Sequence, residues 1–297
     1  MRIVLSNSFD NITQAMETAA ESLAEAQRQV STGMRFDKIS DDPLSAALSV
    51  TEHAVQDRLD AYKSAGDAAS YRLGLADNVL SDMINQLTSA QTTALSARGS
   101  ETTQTQRDAL SNELLAIRDA LMSDINTQFQ GAYLFSGSKV TVAPYSISGG
   151  TISAYQGDTD TNAIDIGTGR SVASTFDGNA IMQGTDSVHI LDALTSLAAA
   201  VSAGDEAGMD AGIQALNRAF DRANAAQARV GNDERSLDDT KALISSARVG
   251  SVTRLSSIED ADLAQAASRL SQANTAYRAA LAAMSTIGQI SLMDYLK

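Results

Sequence analysis

The sequence predicts a mostly α protein: two terminal helices that pair with each other, longer helices nested inside them, and a small β-rich insert farthest from the termini. Three observations predict it. Apolar residues at both ends recur in alternating steps of three and four, the a/d spacing that lets one helix lie along another. From Leu44 to about Ala97 no proline interrupts a single apolar stripe. Residues 136–184 change texture to Gly, Thr, Ser and Asp with short apolar runs, the pattern of short strands and turns.

The first helix is expected over residues 6–32. Phe9, Ile12, Met16, Ala19, Leu23, Ala26 and Val30 form its seam, Ser6 or Ser8 offers a cap, and Gly33 stands where a helix stops. A loop from Met34 to Asp42 follows. Asp42 reads as the next N-cap with Pro43 at the first helical position, where a missing N–H costs nothing. The stripe Leu59, Tyr62, Ala69, Leu73, Ala76, Leu80, Met83, Leu87, Ala90, Ala94 and Ala97 continues the second helix, with Gly66 in the missing step. Its length is on the order of 80 Å, suited to a rod or bundle. Arg98-Gly99-Ser100 breaks it.

Thr103 and Gln106 have capping-box spacing. The third helix carries Leu110, Leu114, Ile117, Leu121 and Ile125 on one face and is expected to end near Gln130-Gly131. In the insert, Thr151–Tyr155 and Ala163–Ile166 read as strands, with Gly149-Gly150 and Gly167-Thr168-Gly169 as hairpin turns. Asp186 or Ser187 restarts helix through Val188, Leu191, Leu194, Leu197, Ala198 and Val201 to Gly204. A long helix then runs from about Asp205 to Arg248 through Ile213, Leu216, Phe220, Ala223, Gln227, Val230 and Leu237. Val249-Gly250-Ser251 is expected to interrupt it, and Ser256 to Glu259 to cap the last helix.

That last helix has the seam Leu263, Ala266, Leu270, Ala273, Tyr277, Ala280, Met284 and Ile287. Between Leu263 and Met293 its only charges are Arg269 and Arg278. A coiled coil in water usually carries Glu and Lys beside its seam. A charge-poor helix belongs inside an assembly, so both seams, with Leu292 beyond, are read as surfaces that continue into neighbouring subunits. The parts are then a terminal coiled coil (1–40 and 257–297), a helical rod (41–135 and 187–256) and a small β-rich outer domain (136–186).

Composition narrows the function classes. The chain has 297 residues and a formal net charge of −14, which argues against nucleic-acid and anionic-membrane partners. Aromatics are 4% and proline occurs twice, which fits long helices packed by small side chains. There is no cysteine, so disulfides and thiolate-held metals are excluded. No stretch approaches the roughly 18 apolar residues of a membrane span. The short apolar run near Ile3 is not the h-region of about 7–15 residues of a signal peptide.

No catalytic or cofactor constellation emerges. His53 and His189 are far apart and read as solvated helix-surface residues. Asp41-Asp42 beside Pro43 reads as helix capping. Asp158, Asp160 and Asp165 lack the glycine and terminal glutamate of a calcium loop and read as turn residues. No metal, cofactor or enzymatic activity is expected.

Several stretches together resemble the bacterial flagellin family. Gln29-Val30-Ser31-Thr32-Gly33 followed by Ser40-Asp41-Asp42-Pro43 is similar to its N-terminal signature, and Ile258-Glu259-Asp260-Ala261-Asp262 to the motif before its C-terminal helix. Gly131-Ala132-Tyr133-Leu134-Phe135-Ser136-Gly137, Tyr155-Gln156-Gly157-Asp158 and the Ser291–Leu296 end more closely resemble the hook–filament junction branch, the third hook-associated proteins. The resemblance implies an elongated, nested helical hairpin and a structural role at the flagellum. It further implies export without a cleaved signal through the flagellar type III apparatus with a chaperone, and assembly with copies of itself as a ring. The ring's neighbours would be the first hook-associated protein and flagellin. A minor flagellin, part of the filament itself, is the second reading of the same residues.

Overall fold

The computed structural model describes residues 2–99, 102–149 and 151–295, with side chains for 10–99, 102–149 and 151–286. The described residues form seven helices and three two-stranded antiparallel sheets: α1 (Arg2–Thr32), α2 (Pro43–Ala97), α3 (Gln104–Ile125), β1 (Gln128–Phe129), β2 (Ala132–Tyr133), β3 (Ile147–Ser148), β4 (Thr151–Ile152), β5 (Ala163–Gly167), β6 (Arg170–Ala173), α4 (Gly178–Met182), α5 (Ile190–Ala203), α6 (Glu206–Glu259) and α7 (Leu263–Tyr295). The fold is mostly α with a small β insert, as the periodicities predict. The chain divides into two compact units, Met1–Arg58 with Ala247–Lys297, and Leu59–Ser246.

In the first unit α1 packs along α7. The start of α2 meets the end of α6 through polar contacts. The Glu52 carboxylate accepts from Ser251 Oγ (2.9 Å) and from Arg254 Nε (2.9 Å) and Nη2 (3.2 Å). These bonds hold Glu52 below the usual carboxylate range, Arg254 and Ser251 outweighing the opposing effect of burial.

In the second unit the stripe expected on α2 is the core: Ala69, Leu73, Ala76, Leu80, Met83, Leu87, Ala90, Ala94 and Ala97 are all buried. Gly66 fills its step against α6, since a Cβ there would touch Leu237 Cδ1 and Lys241 at 3.5 Å. From α3, Leu114, Leu121 and Ile125 join this core, and from α5 Leu191, Leu194, Leu197 and Val201 do. Thr103 and Gln106 form the expected capping box of α3.

Five boundaries differ from expectation. First, α3 stops at Ile125, and Gln130-Gly131 is the turn of a hairpin joining β1 to β2. Both turn residues have positive φ, 53° and 82°, the twist that a two-residue hairpin loop needs. Arg72 stacks on Phe129 at 5.3 Å and ties that hairpin to α2. Second, the strand expected over Thr151–Tyr155 is only two residues long, paired with β3. Third, α5 begins at Ile190, so Val188 lies before the helix and is exposed.

Fourth, α6 runs through Val249-Gly250-Ser251 without a break. A helical glycine costs only about 1 kcal/mol relative to alanine, and fully buried Ser251 is held by Glu52. Fifth, Ser256 does not cap the last helix. Glu259 turns to α2 instead, and α7 is capped by Asp262, whose Oδ1 accepts from the amides of Ala264 and Gln265 at 2.9 and 3.1 Å.

His189 is a further correction. It is buried, 5% exposed, and it is the N-cap of α5. Its Nδ1 accepts from the Asp192 amide at 3.2 Å, and its ring stands edge-on to Tyr145 at 5.2 Å. Burial pushes its pKa below the ordinary value, against the pull of Asp192. The unfolded chain therefore binds the extra proton first. Stability of the second unit should fall as pH drops through about 6.5. Urea unfolding midpoints measured across that range should show the loss. His189→Asn, which keeps a capping acceptor but does not titrate, should remove His189's share of the slope.

Tyr145 is packed beside His189 and Tyr155, and its hydroxyl is buried without a hydrogen-bond partner. An unsatisfied buried hydroxyl costs about 1–3 kcal/mol. Tyr145→Phe should therefore leave stability unchanged or raise it by up to about 1 kcal/mol in equilibrium unfolding.

Candidate assembly surfaces

The residues singled out from the sequence fall into three places, each built by local chemistry. The first is the seam between α1 and α7. Ala26 and Ala266 are buried, while Ile12, Met16, Leu23, Leu270, Tyr277 and Met284 are half-buried. Phe9, Ile287 and Leu292 lie in the helices, but their side chains fall outside the described residues. Two expected seam positions do not face the partner helix. Leu263, at the first turn of α7, is 57% exposed. Val30 is 37% exposed, and Gln29 is the inward residue at 8%. Gln29 turns in because its Nε2 has acceptors there, the Arg35 carbonyl at 3.0 Å and Glu25 Oε1 at 3.4 Å.

The second place is the loop after α1. Gly33 ends the helix with φ +71°, in the left-handed region that a helix C-terminus favours. The Asp42 Oδ1 accepts from the Ser45 amide at 3.0 Å, which caps α2 just ahead of Pro43. The Ser45 hydroxyl and amide, with Arg35 beside it, hold Asp42 below the usual carboxylate range. Asp41 Oδ2 accepts from the Lys38 amide at 3.2 Å. Asp42 thus caps α2 as expected, whereas Asp41 closes a turn within the loop instead of capping a helix.

That loop meets the turn between α6 and α7. The Arg35 amide donates to the Glu259 carbonyl at 2.6 Å and the Ala261 amide to the Gly33 carbonyl at 2.8 Å, and Met34 bridges Asp260 in antiparallel fashion. The Glu259 carboxylate accepts from Ser49 Oγ and lies 3.0 Å from His53 Nε2. His53 is exposed, as expected, but paired. The nested layout read from the sequence brings these two distant stretches near one another but does not say which of their atoms bond, since each reads only as a loop and a cap.

The third place is the start of the β-rich segment. Tyr133 lies half-buried in β2, and its amide donates to the Val140 carbonyl at 2.8 Å. Leu134, Phe135, Ser136 and Gly137 are all buried. Their backbone is stitched to residues 155–178. The Phe176 amide donates to the Leu134 carbonyl (2.7 Å), the Gly178 amide to that of Phe135 (3.0 Å) and the Gly137 amide to that of Phe176 (3.1 Å). Tyr155 Oη donates to the Phe135 carbonyl at 2.9 Å. Asp158 accepts from the Ser138 amide (2.7 Å) and hydroxyl (2.6 Å), which hold its carboxyl below the usual range.

So Asp158 secures a turn, as expected. Arg222, which the sequence did not single out, secures another. It donates to the carbonyls of Ile181 (3.0 Å) and Met182 (3.4 Å) and, with Arg218, to Asp186. Burial alone would raise the Asp186 pKa, but the two arginines outweigh it and hold it low.

Among the described residues no group of histidine, cysteine and carboxylate side chains is placed to hold a metal ion. Among the same residues no helix is long and apolar enough to cross a membrane. The arrangement is one of packing and hydrogen-bonded junctions.

Comparison with known proteins agrees along the chain. Residues 5–140 match the model for the bacterial flagellin N-terminal helical region and residues 213–296 that for the bacterial flagellin C-terminal helical region. The chain is 25% identical over 289 residues to flagellar hook-associated protein 3 of Escherichia coli (strain K12), covering 91% of each. It is 25% identical over 282 residues to the Salmonella typhimurium protein of the same name, covering 88% of this chain and 89% of that one.

Solved structures share the fold. Xanthomonas campestris FlgL superposes with a TM-score of 0.61 at 17% identity, over 69% of this chain and 99% of that one. The flagellar hook associated protein-3 of Legionella pneumophila gives 0.61 at 14% identity, over 70% and 98%. These relatives are structural proteins of the flagellum, not enzymes. With both flagellin regions in order and hook-associated protein 3 relatives along nearly its whole length, the chain belongs to the flagellin family, on its hook–filament junction branch.

Proposed function

We propose that this chain is the adaptor that joins the flagellar hook to the filament, assembled as a ring of its own copies. One end of the ring would seat on the first hook-associated protein and the other would receive flagellin. The chain would reach that place through the flagellar type III export apparatus, escorted by a chaperone and kept unfolded in transit, which the absence of cysteine suits. The terminal coiled coil (1–40 and 257–297) would make the contacts between subunits. The helical rod (41–135 and 187–256) would support it, and the β-rich segment (136–186) would face outward.

The observation that carries this reading is the poverty of charge on α7. Arg269 and Arg278 are its only charges from Leu263 to Met293, and most of its described seam is only half-buried by α1. Apolar surface left over by one partner favours further partners. Full-length similarity to proteins named for hook association supports the same role. Deleting the gene tests it: cells should keep complete hooks and shed flagellin into the medium. Normal filaments on the deletion strain would sink the proposal.

A minor flagellin is the second reading, favoured by a specific match. Over 125 residues the chain is 31% identical to polar flagellin E of Vibrio parahaemolyticus, covering 41% of this chain and 33% of that one. The deletion strain separates the two, because loss of a minor flagellin leaves filaments attached. Folding on assembly is tested on the purified full chain by hydrogen exchange. Residues 1–40 and 257–297 should exchange fast in the free protein, with protection elsewhere.

A further inference from the structure

We propose that the Gly33–Arg35 and Glu259–Ala261 segments form a clasp that makes the two terminal helices order as one unit. The inference rests on the assembly reading above and adds how the ends are brought together. α1 runs into the clasp at Thr32 and α7 runs out of it at Leu263. Two backbone hydrogen bonds close it, Arg35 amide to Glu259 carbonyl and Ala261 amide to Gly33 carbonyl.

Side chains from two helices brace it. Gln29 of α1 donates to the Arg35 carbonyl. Ser49 and His53 of α2 hold the Glu259 carboxylate. The Arg35 guanidinium points away from the closing bonds to the start of α2, reaching Ser45 Oγ at 2.6 Å and Asp42 Oδ2 at 3.3 Å.

Burial along the seam points the same way. Apart from Val30 and Leu263, which face away, the described seam positions nearest the clasp, Ala26, Gln29 and Ala266, are the buried ones. Those farther out, from Leu23 back to Ile12 and from Leu270 on to Met284, are half-buried. A helix pair whose two strands lie at opposite ends of a chain must first close the long intervening loop. The first helical turns are costly as well. Once the ends order, closing the clasp at the base meets the first cost there, and the seam zips outward from Ala26 and Ala266.

Hydrogen exchange with mass spectrometry on three full-length proteins tests this: wild type, Arg35→Pro and Arg35→Ala. Each is measured in buffer and in trimethylamine N-oxide, which favours compact states. Proline removes the amide that bonds Glu259; alanine keeps that amide and loses only the guanidinium. In the osmolyte, wild type should protect α1 and α7 together. Arg35→Pro should lower protection of residues 264–280, on the far end of the chain, by at least about tenfold, together with residues 12–30. Arg35→Ala should stay within about threefold of wild type at 264–280.

Loss confined to residues 12–42 overturns the clasp, as does no loss anywhere, equal loss in both variants, or ends that stay unprotected in wild type even in the osmolyte. The assembly reading fails separately, if wild-type ends are protected in plain buffer.

Discussion

Gly137→Ala is expected to cost the second unit roughly 3–5 kcal/mol and to show as a large drop in the urea midpoint. Gly137 has φ +68°, a left-handed conformation that costs an L residue about 1–2 kcal/mol. The larger effect is space. A Cβ there would sit 2.2 Å from the Asp158 carbonyl oxygen, 2.3 Å from Asp158 Oδ1 and 2.7 Å from the Asp160 carbonyl oxygen. The obstacles are mostly backbone, so the chain itself would have to move. Moving it would break the Asp158–Ser138 turn and the bond from the Gly137 amide to Phe176.

Gly131→Ala is the control. Its φ is +82°, but nothing lies within 4 Å of the added carbon. It should cost only the backbone share, about 1–2 kcal/mol. Equal losses in the two variants would mean that the close packing around Gly137 contributes nothing.

Ala266→Glu is expected to abolish pairing of α1 with α7. Ala266 is 2% exposed on that seam, and a carboxylate forced there without a partner costs several kcal/mol. The expected readouts are loss of osmolyte-induced helix by circular dichroism in the full chain and loss of the variant's ability to restore motility to a deletion strain. Val30→Glu is its companion. Because Val30 stands 37% exposed beside inward-facing Gln29, its effect on osmolyte-induced helix should be below about 0.5 kcal/mol. A neutral Ala266→Glu, or a Val30→Glu as damaging as it, would contradict the register of the seam.

Periodicity carried most of the helical architecture, and the reason is length. Over dozens of residues in α2, a three-four repeat cannot be mistaken for a strand, and Ala69 to Ala97 are buried as their spacing implies. Capping chemistry that stays local was equally legible: Thr103 with Gln106, Asp42 ahead of Pro43, Gly204 with φ 69° at the end of α5. Family motifs named the Leu134–Gly137 run without saying what it touches. Its work, three strands of chain knotted through the carbonyls of Leu134 and Phe135, depends on residues roughly twenty and forty positions later.

What the sequence determined by itself was the long helices, their buried stripe and the caps made within a turn, because each follows from near neighbours. Tertiary structure decided the rest. Glu259 has the spacing to cap back to Ser256, yet its carboxylate goes to Ser49 and His53 across the gap to α2. Gly250 has the propensity to break α6, yet Ser251 anchors the helix to Glu52 and it continues. Val30 has the apolar side chain and the seam spacing, yet Gln29 turns inward because the Arg35 carbonyl waits there. In each case two local options differ by about 1 kcal/mol, and a hydrogen bond to a distant residue outweighs the difference.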